Sequence, residues 1–331
     1  MFARGALGRL AEEAQRCGIE RALVIATPGS GARLGARAID VLGPRAAGMF
    51  AHAAVHVPKA VAESGLEAAR AGAPDGLVAV GGGAAIGLAK IIARDLGLPI
   101  VAVPTTYSGS EATTIWGLSE GDRKFTGKDA RVLPRTIIYD PDLTLTLPPA
   151  VTAASGMNAM AHCVESMWVE ARTPFLMAVA LDAVRRLAKH LPSTVAHGDD
   201  FEARAECLVA AWLAGFVLNA GTALQHKLAH VLGGLGLPHA EVHAIILPHV
   251  TRFNLAAAPQ AREYLALALD GDGAERLALM LACLPIPQRL AQVGFSPARI
   301  GAVAAEVAAL AITAPRPVAG ADVRGLLAAA L

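Results

Sequence analysis

The chain has 331 residues, more than one ordinary core holds, so two domains or one large α/β domain are expected. Its 29 Lys and Arg against 28 Asp and Glu leave a formal charge of +1, with no basic stripe, which excludes nucleic acid as the expected partner. Aromatic residues are only 4%, so the core must come from Ala, Leu and Val, and no uncharged apolar run reaches the ~18 residues of a membrane span.

The opening MFARGALGRLAEEAQ carries early charges and lacks the apolar core of a signal peptide. Residues 7–17 have helical spacing, and Gly18 supplies a stop. ALVIAT (22–27) is an apolar β-type run before the turn PGSG. Further helices are expected over 32–42, 60–71 and 84–96, and further strands over 49–57, 77–80 and 99–106. This alternation predicts a doubly wound, mostly parallel sheet. Residues 108–135 are polar and contain glycine, and 136–148 are β-rich. From Thr152 onward the pattern is helical, over 154–169, 174–191, 202–218, 261–269, 274–284 and 296–310. The boundary is expected near Pro148–Pro149, dividing the chain into 1–149 and 150–331. Cys17, Cys163, Cys207 and Cys283 are widely spaced with no CxxC pair, so free thiols in the cytoplasm are expected.

Three groups of residues can carry chemistry. Gly81, Gly82 and Gly83 follow the 77–80 strand and open a helix. Without side chains, their amides can approach a pyrophosphate, whose charge a helix N-terminus favours. The run is not GxGxxG, because Ile86 occupies the third glycine position, and a tight strand-to-helix turn has the same look. The segment PTTYSGSE (104–111) lies at the end of the next strand, where open α/β sheets bind ligands, and its hydroxyls suit ribose, phosphate or carboxamide. An ordinary capped turn would also place Ser and Thr there.

The third group is GTALQHKLAHVLGGLGLPHAEVHAIILPHV (221–250), which holds five of the ten histidines. His226 and His230 are four apart, as are His239 and His243, so each pair shares a helix face. The glycines at 233–236 and Pro238 turn the chain between them. A lone histidine in an apolar stretch is usually a hydrogen-bonded core residue, but five in thirty do not fit that pattern. HKLAH is not the zinc-protease HExxH, since Lys227 stands at the general-base position. Asn158 and His162, again four apart, can join His226 and His239. An Asp at 158 would complete a carboxylate and three-histidine metal site, whereas Asn is a weak neutral ligand.

The order GGGAAIGLAK, VPTTYSGSEAT, RVLPRTIIYDPDLTLTLP, SGMNAMAH, HKLAHVLGG and LPHAEVHAIILPH resembles the iron-containing alcohol dehydrogenase superfamily. Within it the chain looks most like the maleylacetate reductases, whose branch also fits Asn158 in place of the metal-binding Asp. The resemblance spans essentially the whole chain. It implies a dehydroquinate synthase-like architecture: a dinucleotide-binding α/β domain over 1–149 and a helical catalytic domain over 150–331, with the active site in the cleft. Gly81, Gly82 and Gly83 would hold the pyrophosphate of NADH or NADPH, Thr105, Thr106 and Ser110 the nicotinamide side, and Lys124 the ribose. His162, His226 and His239 match the ligand positions of metal-dependent relatives, and His230 the extra active-site histidine. A homodimer is implied at the family level.

The implied reaction is NAD(P)H-dependent reduction of the C=C bond of 2-maleylacetate to 3-oxoadipate, in the degradation of aromatic compounds. With Asn158 present, no divalent metal is expected. His230, His243 and His239 are the expected catalytic groups. Asn158, His162, His226 and Tyr107 are expected to bind the small dicarboxylate; Arg316 is an additional carboxylate candidate, but a solvated surface arginine is the favoured reading there. Ala84 replaces the serine usual after the glycines, and no acid ends the 22–27 strand to select NAD, so both cofactors are open. Two other readings stay open: a metal-dependent alcohol dehydrogenase acting on a C–O bond, and a non-catalytic histidine-rich protein binding metal or nucleotide. The TYSGSEAT context argues against a dehydroquinate synthase-type cyclase.

Overall fold

The apolar runs of the first half become neighbouring parallel strands. A computed structural model describes every residue except Asp122, Ala311 and Ala314, so Asp122 of the GLSEGDRKF stretch and Ala314 of ITAPRP lie outside the described residues. The chain divides into two compact units, Met1–Leu147 and Pro148–Leu331.

The first unit runs α1 (Leu10–Arg16), β1 (Ala22–Ile25), α2 (Ser30–Leu42), β2 (Ala46–Phe50), α3 (Lys59–Gly72), β3 (Gly76–Gly81), α4 (Gly83–Leu96), β4 (Ile100–Pro104), β5 (Ile115–Glu120), β6 (Arg123–Lys128) and β7 (Thr136–Ile137). Five strands form a parallel sheet in the order β2-β1-β3-β4-β7. Side chains alternate across it. Leu23, Ile25, Leu77 and Ala79 pack with Ala62, Leu66, Leu88 and Ile92 of α3 and α4. Val24, Val78, Val80, Val101 and Val103 pack with Leu10, Ala14, Ala38 and Leu42 of α1 and α2. Both faces are covered, which is why the strands read as continuous apolar runs. The strand order reverses between β1 and β3, so the end of β3 delivers Gly81 to the switch point where such sheets bind ligands.

Four expectations need correction in this unit. The strand expected over 49–57 is β2, which ends at Phe50. Beyond it the chain turns through His56 and Val57 at φ 65° and 48°, a conformation no strand residue adopts. The helix expected over 7–17 begins as a 3-10 turn, Ala6–Arg9, and becomes α-helical only at Leu10. Residues 108–135 contain the β5–β6 hairpin, whose half-exposed residues lack an apolar alternation. The β-rich reading of 136–148 shrinks to β7 and a 3-10 turn, Pro141–Thr144, because Pro141 has no N–H for a sheet and Asp140 caps the turn through the Asp142 N–H.

The second unit is all helix: α5 (Pro149–Ser166), α6 (Pro174–Ala196), α7 (Phe201–Leu218), α8 (Leu224–Gly234), α9 (His239–Leu255), α10 (Pro259–Leu269), α11 (Gly273–Ala282), α12 (Ile300–Ala308) and α13 (Gly320–Ala330). Leu228, Leu232, Val242, Ile245 and Ile246 of α8 and α9 pack with Val303 and Val307 of α12 and with Val323 and Leu327 of α13. The sequence reading left α13 out; it is short and rich in Ala and Gly, and its three buried residues, Val323, Leu327 and Ala330, mark it only in three dimensions. α5 is buried from Thr152 to Ser166, so it needs no polar face, and it carries Asn158, His162 and Glu165 at i, i+4 and i+7. No helix among the described residues is long and apolar enough to cross a membrane.

Candidate active site

Gly81 sits at φ 146°, a conformation side chains rarely adopt. A Cβ on Gly82 would lie 2.6 Å from Thr106 Oγ1 and 2.8 Å from its Cγ2. A Cβ on Gly83 would have, among the described residues, only Ser108 Oγ within 4 Å, at 3.9 Å. α4 then starts with Gly82 as N-cap and no side-chain cap, leaving first-turn amides without intrahelical acceptors. This cradle fits a pyrophosphate: close backbone approach, free amides and a helix N-terminus. Thr106 and Ser110 are half-buried beside it, whereas Thr105 is buried with its N–H donated to the Gly81 carbonyl at 3.2 Å. Lys124 lies on β6, and burial pushes its ammonium down to about 8.

A buried latch not read from the sequence holds this region. Lys90 of α4 donates from Nζ to the carbonyls of Ser110 (2.6 Å), Thr113 (2.8 Å) and Ile115 (2.9 Å), and to Thr113 Oγ1 (2.8 Å). The helix that opens the phosphate cradle is thereby tied to the segment that carries Ser110. Burial pushes Lys90 down to about 7, yet four oxygen acceptors favour the fully protonated ammonium. Fully buried Glu111 accepts from Tyr139 OH at 2.8 Å, and burial raises its carboxyl to about 7. Tyr107, expected at the substrate, has a completely enclosed side chain, as does His243.

In the second unit, α5, α8 and α9 bring five imidazoles together. Ring centroids are 4.9 Å apart for His162–His226, 4.7 Å for His226–His243, 4.5 Å for His239–His243, 5.8 Å for His230–His239 and 6.2 Å for His226–His230. His162, His226, His243 and Asn158 are buried, while His230 and His239 are half-buried and form the open side of the cluster. Asn158 Oδ1, His162 Nδ1, His226 Nε2 and His243 Nε2 are buried without a hydrogen-bond partner among the described residues. Such atoms are costly unless a ligand or water satisfies them. His249 is separate, and Arg316 lies over the Phe253 ring at 4.4 Å.

Two neighbours of the cluster were not read from the sequence. Glu165 accepts from His226 Nδ1, from the Gln225 N–H at 2.6 Å and from the His226 N–H at 3.4 Å. It thereby serves the start of α8, which has no side-chain cap of its own. Gln225 Nε2 lies 3.0 Å from the His243 carbonyl and 3.2 Å from His243 Nδ1. Glu165, seven residues after Asn158 on α5, was the only local hint.

Electrostatics bear on two of these rings. Burial and the neighbouring His226 push His162 well below its ordinary pKa. Burial, followed by His239, His226, His162 and His230, does the same to His243. In both, burial acts against the charged form of the ring.

The donor set fits a resident divalent metal poorly. Asn158 contributes a neutral amide, a weaker ligand for a divalent ion than a carboxylate. Among the described residues, no three His, Cys, Asp or Glu side chains form a metal-holding group.

A phosphate cradle on a doubly wound sheet in one unit, and a histidine cluster on an all-helical frame in the other, define a nucleotide-dependent oxidoreductase. The chain belongs to the iron-containing alcohol dehydrogenase family, whose models match residues 1–141 and, for the C-terminal part, 152–331. It is 45% identical over 275 residues to maleylacetate reductase 2 of Cupriavidus pinatubonensis, covering 82% of this chain and 76% of that protein. It is 41% identical over 337 residues to the maleylacetate reductase of Sphingobium indicum, covering 100% and 94%. The crystal structure of maleylacetate reductase from Agrobacterium tumefaciens matches with a TM-score of 0.94 at 39% identity, covering 100% and 95%.

Proposed function

We propose that this chain reduces the C=C bond of 2-maleylacetate to give 3-oxoadipate, with NADH or NADPH and without a divalent metal. The donor set of the histidine cluster carries this reading: five imidazoles and a neutral amide stand where metal-dependent relatives need a carboxylate. The relatives named maleylacetate reductase, matched over most of the chain, supply the substrate.

When bound, the reduced nicotinamide supplies a hydride. Gly81, Gly82, Gly83 and the start of α4 would hold its pyrophosphate, with Thr105, Thr106, Ser110 and Lys124 along the rest of the cofactor. In a conjugated enone, an added hydride on the far alkene carbon moves the electron pair onto the ketone oxygen, giving an enolate. Protonation of the nearer carbon then completes a saturated ketone. His243 and His239 polarise the ketone oxygen as its charge develops. His230, on the open side of the cluster, delivers the proton to carbon. Asn158, His162 and His226 line the buried floor and bind the rest of the substrate through neutral hydrogen bonds.

The test follows NADH and NADPH absorbance with 2-maleylacetate in protein stripped by a chelator. Retained turnover supports the reading. Turnover lost on stripping and restored by iron or zinc overturns the metal-free part of it, and alcohol oxidation in its place overturns the substrate.

A further inference from the structure

The orientation of the Gln225 amide determines which nitrogen of His243 carries the proton. A carbonyl oxygen only accepts hydrogen bonds, so the amide group 3.0 Å from the His243 carbonyl must be the NH2 end. Turned the other way, Gln225 would set two acceptor oxygens against each other. That NH2 has a second proton, and His243 Nδ1 lies 3.2 Å from the same nitrogen. Nδ1 therefore accepts, and in a neutral imidazole the proton resides on Nε2. His243 Nε2 is buried with no hydrogen-bond partner among the described residues, and its ring is in edge contact with His226 and His239.

The opposite tautomer is imposed on His226. Glu165 is an acceptor on its Nδ1 side, so Nδ1 carries the proton there. The two devices are adjacent in sequence and share one anchor, because Glu165 also accepts from the Gln225 N–H at 2.6 Å. One carboxylate from α5 thus pins the start of α8, and that turn presents Gln225 to one ring and His226 to the carboxylate itself.

We infer that Gln225 is a positioning residue that fixes His243 as an Nε2–H donor facing the histidine cluster, complementary to an oxygen acceptor such as the ketone or enolate oxygen of the substrate. The donor's assignment to that oxygen rests on the proposed function; the tautomer does not. A neutral ring donor suits the step, because it strengthens as charge grows on oxygen and need not give up its proton.

Solid-state 15N spectra of the histidine-labelled full chain, with the His243 signals assigned by difference from His243→Asn, read the tautomer directly. The expected result is a protonated Nε2 and an unprotonated Nδ1 on His243 in the unaltered protein, and the reverse in Gln225→Glu, whose carboxylate can only accept. Gln225→Glu is expected to lower kcat with 2-maleylacetate by about 10- to 100-fold with NADH affinity unchanged. Gln225→Met, similar in length and without an amide, serves if the glutamate variant does not fold, and is expected to give mixed tautomers. A proton on Nδ1 of His243 in the unaltered protein overturns the inference. So does either Gln225 variant with unchanged kcat, or one that loses cofactor affinity and thermal stability in step with turnover. A chain with the Nε2–H signal that does not reduce 2-maleylacetate would remove the substrate assignment and leave the tautomer standing.

Discussion

Glu111→Gln probes the buried latch beside the cofactor cradle. Burial raises the Glu111 carboxyl from 4.5 to about 7, opposed by its bond from Tyr139 and by the Lys90 ammonium. That difference corresponds to about 3 kcal/mol, at about 1.4 kcal/mol for each tenfold change in proton affinity. The folded carboxyl binds its proton more tightly than the unfolded one. Its contribution to stability is therefore complete below pH 4.5 and lost as pH rises through about 7. Integrated from pH 5 to pH 8, the loss is about 2.5 kcal/mol. Glutamine keeps an acceptor for the Tyr139 hydroxyl and does not ionise. Relative to the unaltered protein, the variant should therefore gain about 2.5 kcal/mol between these two pH values, or roughly 5–10 °C in the midpoint of the first unit. Thermal unfolding of both proteins at each pH, followed by circular dichroism and Trp116 fluorescence, measures it. A relative gain below about 1 kcal/mol would refute the claim that Glu111 is held protonated by burial.

Gly82→Ala puts a methyl group against Thr106 and into the cradle, so the Kd for NADH should rise at least about 10-fold by fluorescence titration; an unchanged Kd would remove the pyrophosphate from this turn. Asn158→Asp places a carboxylate beside His162 and His226, and elemental analysis should then show zinc or iron retained through purification where the unaltered protein retains little. Equal metal content in both would mean that residue 158 does not decide occupancy. His230→Ala should lower kcat by about 10²- to 10⁴-fold while NADH affinity stays constant, as stopped-flow and binding measurements would separate. Equal loss of both would contradict its role as proton donor.

Local chemistry made much of this protein legible in its sequence. Continuous apolar runs at β1, β3 and β4 mark strands covered on both faces, and β1 and β3 are each followed by a helical period, which is sufficient for a doubly wound sheet. The glycine run after β3 and the i, i+4 histidine pairs on α8 and α9 are short-range patterns of the same kind, set by strand and helix geometry alone. The reading failed where local signals are weak, as at the β5–β6 hairpin and α13. Burial is likewise invisible locally: Tyr107 stands between threonines and serines, and only packing shows it enclosed.

What needed the tertiary structure is every relation between residues far apart in the chain. Glu165 reaches His226 across 61 positions, Lys90 reaches Ile115 across 25, and neither spacing corresponds to any period of a helix or strand. The same holds for charge. The composition counts ten histidines, but burial at 0% exposure disfavours the charged form of His243, and an amide eighteen residues away selects its tautomer. Desolvation and hydrogen-bond direction are properties of a surrounding, and that surrounding exists only once α5, α8 and α9 have packed.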